Sequence, residues 1–131
     1  MNNLLLTAGA VGLFTTALHI FGGQITLIRP LLQSTLASDV KACLLVCWHT
    51  VSAYLLLTSG LYLFAGLNPP AEPTQDIAVL LNAISSFYLL FTALFIVIGW
   101  TFFGYRTLYK LPQWTLLLPI GVLGLLGTTN S

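Results

Sequence analysis

Residues 77–103 read IAVLLNAISSFYLLFTALFIVIGWTFF, without one charged side chain. As a helix rising 1.5 Å per residue this stretch is about 40 Å long, enough to cross a hydrocarbon core of about 30 Å, which needs roughly 20 apolar residues. Working outward from it, three further apolar stretches appear at about 4–28, 40–67 and 112–127. The charges are confined to the gaps: Arg29 with Asp39 and Lys41, Glu72 with Asp76, and Arg106 with Lys110. This pattern predicts an all-α fold, an integral membrane four-helix bundle with antiparallel up-down spans, forming a single membrane domain over 1–131.

Composition agrees. The chain is 57% hydrophobic and 5% charged, whereas soluble domains carry about 25% charged residues. Four spans use most of the length, so no separate aqueous domain is expected and any chemistry belongs in the bilayer or at its faces. A net charge of +1 provides no basic surface for a nucleic-acid backbone, which excludes nucleic acid as a partner. Met1-Asn2-Asn3 lacks the basic side chain that opens a cleavable signal peptide, so the first span is expected to be retained. Cys43 and Cys47 are four residues apart within the second stretch, on one helical face shielded from redox partners.

The boundaries carry their own signals. Arg29-Pro30 is expected to stop the first span, since proline cannot continue the hydrogen-bond ladder. Ser34, Thr35, Ser38 or Asp39 is suited to cap the second helix. Asn68-Pro69-Pro70 ends that helix, and Pro73 keeps the following residues extended. The third span closes on Trp100, Phe102, Phe103, Tyr105 and Tyr109, rings that prefer the headgroup level. The fourth begins near Pro112, is crossed by Pro119, which is expected to kink it, and at about 16 residues sits just below spanning length. Its Gly121, Gly124 and Gly127 allow another backbone to approach. Gly22-Gly23 reads either as a hinge in a continuous first helix or as its end, which would make 24–36 an interfacial segment. The apolar Ile25, Leu27 and Ile28 favour continuity.

Arg29 and Lys41 flank the first connection, Arg106 and Lys110 occupy the third, and the second has no Lys or Arg. The positive-inside rule then puts connections one and three in the cytoplasm and both termini outside.

Two imidazoles lie within the spans, His19 and His49. Ionisable groups at membrane depth are costly and usually face a bundle interior. His19 is eleven residues before Pro30 and His49 ten after Asp39, so in a hairpin both lie about 15 Å from the loop, at one depth. By threes and fours, His19 shares a face with Ala8, Gly12, Thr15, Thr16, Gly22, Gly23 and Thr26, and His49 with Ala42, Val46, Ser52, Ala53, Ser59 and Gly60. A comparable face of the third span holds Ala78, Asn82, Ser85, Thr92 and Gly99. These stripes predict an interior in which Thr15, Thr16, Ser52, Asn82 and Ser85 are the polar groups and Gly12, Gly22, Gly23, Gly121 and Gly124 pack helices, with His19 opposed to His49.

Such a pair has several chemical readings. Two neutral imidazoles bonded to hydroxyls or carbonyls would act as interhelical glue of order 1 kcal/mol. A zinc site is not expected, because no carboxylate lies in the spans and His49 points roughly 120° or more away from either cysteine. Haem b with His19 and His49 as axial ligands is chemically reasonable, but helices packed 8–10 Å apart leave little room for it. A quinone-type ligand accepting a bond from either ring needs no further ligands. The sequence thus leaves the cofactor open. No serine, threonine or cysteine has an acid-oriented base beside it, no catalytic residue emerges, and coupled transport finds no intramembrane acid or inverted repeat.

His19-x-x-Gly22-Gly23, Arg29-Pro30-Leu31-Leu32 and Trp48-His49-x-x-Ser52, together covering roughly residues 15–55, resemble a pattern in small bacterial four-helix inner-membrane proteins that have no assigned activity. Where those proteins often carry Gly-Glu after the first histidine, this chain has Gly22-Gly23, so any role of that acid is missing here. The resemblance implies an all-helical fold in a bacterial inner membrane and brings no activity with it. The functional expectation is a non-enzymatic accessory or structural subunit, its partners being the lipid bilayer and other membrane subunits or a second copy. The rival is a haem- or quinone-binding redox anchor built on His19 and His49.

Overall fold

The computed structural model describes residues 1–68 and 75–129. Within them the chain is all-helical and builds four main helices: α1 (Asn3–Gln33), α2 (Ser38–Leu67), α3 (Gln75–Phe103) and α4 (Trp114–Thr129). The first three are long and apolar enough to cross a membrane. With 16 residues, α4 is about 24 Å long and falls short of the hydrocarbon thickness. The helix runs on through Pro119. Pro69, Pro70, Glu72 and Pro73 lie outside the described residues.

Pro30 does not end the first helix. Residues Leu18–Gly22 and Gln24–Ile28 wind as π-helix, and α-helical geometry then resumes over Arg29–Gln33. Bonds of the i→i+5 type widen the ladder ahead of the proline, where its missing N–H and bulky ring would otherwise interrupt an α-helix. Gly22-Gly23 is therefore not a helix end. The carbonyls beyond Pro30 are satisfied by the connection: Ser34 Oγ donates to Leu31 O at 2.6 Å and Lys41 Nζ to Leu32 O at 3.0 Å. No side chain caps α2, whose N-cap position is Ala37. Asp39 lies in its first turn, where a carboxylate favours the helix dipole. At the other end of α1, Asn2 accepts from the amides of Leu4 and Leu5 at 3.1 and 3.2 Å and donates through Nδ2 to Gly127 O at 2.7 Å. Its backbone N–H donates to Gly66 O at 2.9 Å. One asparagine thus joins the start of α1 to the ends of α2 and α4.

After α3, Gly104 adopts φ 55°, a left-handed conformation that costs glycine no Cβ clash. The turn brings Thr107 back against Gly99, where it is fully buried.

Glycines and large rings divide the packing between them. A Cβ added at Gly9 would meet Leu63, at Gly12 Ser59, at Gly23 Trp48 and at Gly66 Leu6, so α1 and α2 touch along glycine-lined contacts. Gly121 and Gly124 do the same for α4 against Leu89 and Ser85 of α3, and Gly127 against Leu5 of α1. In lipid, where apolar side chains gain nothing by leaving water, such close approach is the main source of helix association. Between α2 and α3 the space is filled by Tyr54, Tyr62 and Tyr88. The core that results comprises Leu5, Ala8, Leu55, Tyr62, Leu81, Ile84, Tyr88, Leu117 and Ile120.

Two expectations about faces are corrected. Gly22 is exposed, with nothing within 4 Å of where a Cβ would stand, because the π-turn carries it outward while Gly23 takes the packing position. On α2 the interior face is Leu55, Thr58, Ser59, Tyr62 and Gly66; of the stripe assigned to His49 only Ser59 is buried, with Ser52 intermediate and Ala42, Val46, Ala53 and Gly60 exposed.

Candidate functional site

The polar groups at the centre of the bundle brace α2 against α3. Thr58 Oγ1 donates to Tyr54 O at 2.7 Å and Ser85 Oγ to Leu81 O at 2.8 Å. Each hydroxyl has one proton, so the tyrosines must be the donors in the cross-helix bonds: Tyr88 to Thr58 at 2.6 Å and Tyr62 to Ser85 at 2.7 Å. The arrangement is reciprocal, a tyrosine on each helix serving a hydroxyl on the other. Ser59 donates to Leu55 O at 2.6 Å and lies against Gly12. Tyr62, Tyr88, Ser59 and Ser85 have no exposed surface. Gly124 lets the α4 backbone lie over the brace, for a Cβ there would sit 2.5 Å from Tyr62 OH. Tyr54 stands at its edge, with its ring centroid 5.8 Å from those of Tyr88 and Phe91 and its buried hydroxyl unpaired among the described residues.

The residues singled out from the sequence divide between this region and others. Ser85 belongs to the brace. Thr15 and Thr16 are buried, each donating at 2.8 Å to the carbonyl four residues earlier, Val11 and Gly12. Asn82 is half-buried and accepts from Thr128 of α4. Ser52 is half-buried and donates to Trp48 O at 3.0 Å.

The two histidines do not face one another. His19 is stacked on Trp48, with ring centroids 3.8 Å apart and planes 15° apart, and its Nε2 lies 3.5 Å from Trp48 O. Trp48 occupies the position assigned to His49 because Gly23 leaves a notch for its six-membered ring. His49, one residue on, is turned about 100° around the helix and is exposed. A haem needs an imidazole on each side of its iron; one ring flat against an indole and the other pointing out of the bundle do not fit a haem held by both within one chain. Among the described residues there is also no group of three His, Cys, Asp or Glu able to hold a metal ion.

The notch makes a direct forecast. Gly23→Leu should force the indole away from His19 and destabilise the fold by about 1–3 kcal/mol, the usual cost of overpacking. Tryptophan emission should shift in the wild-type background and stay unchanged when Trp48 is already phenylalanine.

The tyrosines of the brace were not among the residues singled out from the sequence. A signal was present: Tyr54, Thr58 and Tyr62 recur every four residues on one face of α2, and Leu81, Ser85, Tyr88 and Thr92 follow a four-three-four spacing on α3. Comparisons with protein-family models, curated proteins and solved structures find no match for this chain.

Proposed function

We propose that the protein is a small, non-enzymatic integral membrane subunit, an antiparallel four-helix bundle whose work is done by its outer faces. One observation carries this reading: the inward hydroxyls of Thr58, Ser59, Tyr62, Ser85 and Tyr88 bond to one another or to helix carbonyls. Groups so engaged hold helices together and leave few donors for a substrate. The antiparallel arrangement is supported by contacts that run in opposite order, Leu6, Gly9, Gly12 and Gly23 meeting Gly66, Leu63, Ser59 and Trp48. Arg29, Lys41, Arg106 and Lys110 then share one end of the bundle, which the positive-inside rule assigns to the cytoplasm of a bacterial inner membrane, with both termini outside.

The test is purification of the tagged full-length protein from its native membrane in mild detergent, with identification of what accompanies it and an absorption spectrum. The expected result is a colourless preparation containing other membrane polypeptides or further copies of the chain. A Soret band from a haem-replete host that His19→Ala abolishes would overturn the reading and restore the redox-anchor alternative.

A further inference from the structure

From Tyr105 to Lys110 the chain reads Tyr-Arg-Thr-Leu-Tyr-Lys, a phenol followed by a cation and the same pair again four residues on. Gly104, with its left-handed φ, redirects the chain after α3, and Gly104–Arg106 and Thr107–Lys110 form one 3₁₀ turn and one α-helical turn ahead of α4. Two ties fix this connection. Thr107 is buried against Gly99 and donates from Oγ1 to Gly104 O at 2.8 Å, and Trp114 Nε1 donates to Leu108 O at 3.0 Å. With Thr107 turned inward, positions four apart share the outer side, and Tyr105, Arg106, Tyr109 and Lys110 are all exposed. Both cations lie over rings: the Arg106 guanidinium is 5.9 Å from the Tyr105 centroid and the Lys110 ammonium 5.9 Å from that of Phe103, within the range of a cation–π contact. Among the described residues neither cation has an acidic partner.

We propose that this turn binds the phosphate of an anionic phospholipid. The site presupposes the integral membrane bundle proposed above and no particular partner of it. Position names the occupant first. The turn closes a helix long enough to cross the membrane, beside the exposed rings of Trp100, Phe102, Phe103, Tyr105 and Tyr109, which settle at headgroup level, where the abundant anions are lipid phosphates. Charge points the same way. Side chains four apart on a helix stand about 5–6 Å from one another at Cβ, close enough for Arg106 and Lys110 to share one phosphate, the planar guanidinium pairing with two oxygens while the ammonium acts as a point charge. The phenols add hydroxyl donors on the same side, suited to the ester and glycerol oxygens of the lipid. A zwitterionic headgroup brings an ammonium of its own, which the two cations repel, so an anionic lipid is favoured. The ties at Thr107 and Trp114 hold the turn in place before a lipid arrives, which lowers the ordering cost of binding.

The test is native mass spectrometry of the full chain released from mild detergent and titrated with phosphatidylglycerol or phosphatidylcholine. One phosphatidylglycerol should bind in preference to phosphatidylcholine. Arg106→Gln should weaken that binding about fivefold and the Arg106→Gln, Lys110→Gln double variant about thirtyfold, a factor of about five for each cation near a membrane surface. Arg106→Lys, which keeps the charge and loses the fork, should lie between wild type and Arg106→Gln. Arg29→Gln removes an exposed cation at the same end of the bundle and should leave binding unchanged. Because every side chain exchanged is exposed, the unfolding midpoint in SDS should be the same for all of these variants. Equal losses from Arg29→Gln and Arg106→Gln would reduce the effect to net charge and overturn the site, as would equal binding of the two lipids. Displacement of phosphatidylglycerol by an equal concentration of inorganic phosphate would overturn the lipid as occupant. None of these outcomes touches the subunit reading, whereas release of the protein from membranes by alkaline extraction would overturn both.

Discussion

Gly124→Leu should destabilise the bundle by about 3 kcal/mol, combining overpacking with loss of a buried hydrogen bond. The site has almost no slack. A Cβ at this position would lie 2.5 Å from Tyr62 OH and 2.9 Å from Tyr62 Cζ, and closer still to Ser85 Oγ. Tyr62 and Ser85 are both fully buried, so neither can swing into lipid to make room. Either α4 moves away from α3, giving up the contacts of Gly121 with Leu89, or the bond from Tyr62 to Ser85 breaks and leaves two hydroxyls unpaired in an apolar interior. Replacing glycine in a helix by leucine should by itself add most of about 1 kcal/mol of helix propensity, which only partly offsets either outcome. The control is the same exchange at Gly60, where nothing lies within 4 Å: there the monomer should be unchanged or slightly more stable. Equilibrium unfolding in mixed micelles of increasing SDS fraction measures both. Equal stability of the two variants would mean that α4 does not lie over the brace.

The contrast between those two glycines also shows what the sequence can and cannot convey. Helix number and approximate extent were legible because charge and proline punctuate an otherwise apolar chain, and Leu67 and Phe103 end their helices where the pattern predicts. The direction in which a helix faces was harder to read. In a soluble helix the polar side marks the water side, but a span is apolar all round, and the helices here have little contrast between faces. Small residues mark the interior at Gly12, Gly121 and Gly124 but not at Ala53 and Gly60, which are exposed. The histidine pair was misplaced for a related reason. Two residues at matching depth in a hairpin need not share an azimuth: His19 does face α2, where it stacks on Trp48, and it is His49, one residue further along a regular α-helix, that turns outward. Pro30 reads as a stop in the sequence because nothing local announces that the preceding turns are widened. The tyrosine brace is legible in spacing alone, since aromatic residues in a span are expected at its ends and Tyr62 and Tyr88 instead fill the gap between α2 and α3.

Tyr88→Ala should cost about 4 kcal/mol, in the range for removing a buried aromatic ring, while Tyr88→Phe should cost only about 1 kcal/mol, since interhelical hydrogen bonds in membranes average below that. The asymmetry follows from how the ring is held. Tyr88 has no exposed surface and its centroid is 5.8 Å from Tyr54 and 6.4 Å from Tyr62, so alanine leaves a cavity bounded by two rings that cannot collapse without losing their own contacts. Removing only the hydroxyl leaves Thr58 still donating to Tyr54 O, and the single loss is one lone pair on Thr58 without a donor. Tyr62→Phe is more exposed to coupling, because its partner Ser85 also lies against Gly124. A double-mutant cycle of Tyr62→Phe with Tyr88→Phe, measured by the same SDS titration, should therefore give losses that exceed the sum of the singles, the two bonds being the paired ties across one α2–α3 gap. Strict additivity would mean that each bond acts alone and that ring volume, not the reciprocal hydroxyl pairing, sets the spacing of the helices. If Tyr88→Phe instead proved as damaging as Tyr88→Ala, the hydroxyl would carry more than an interhelical bond, and the interior rather than the outer faces would become the place to look for the protein's chemistry.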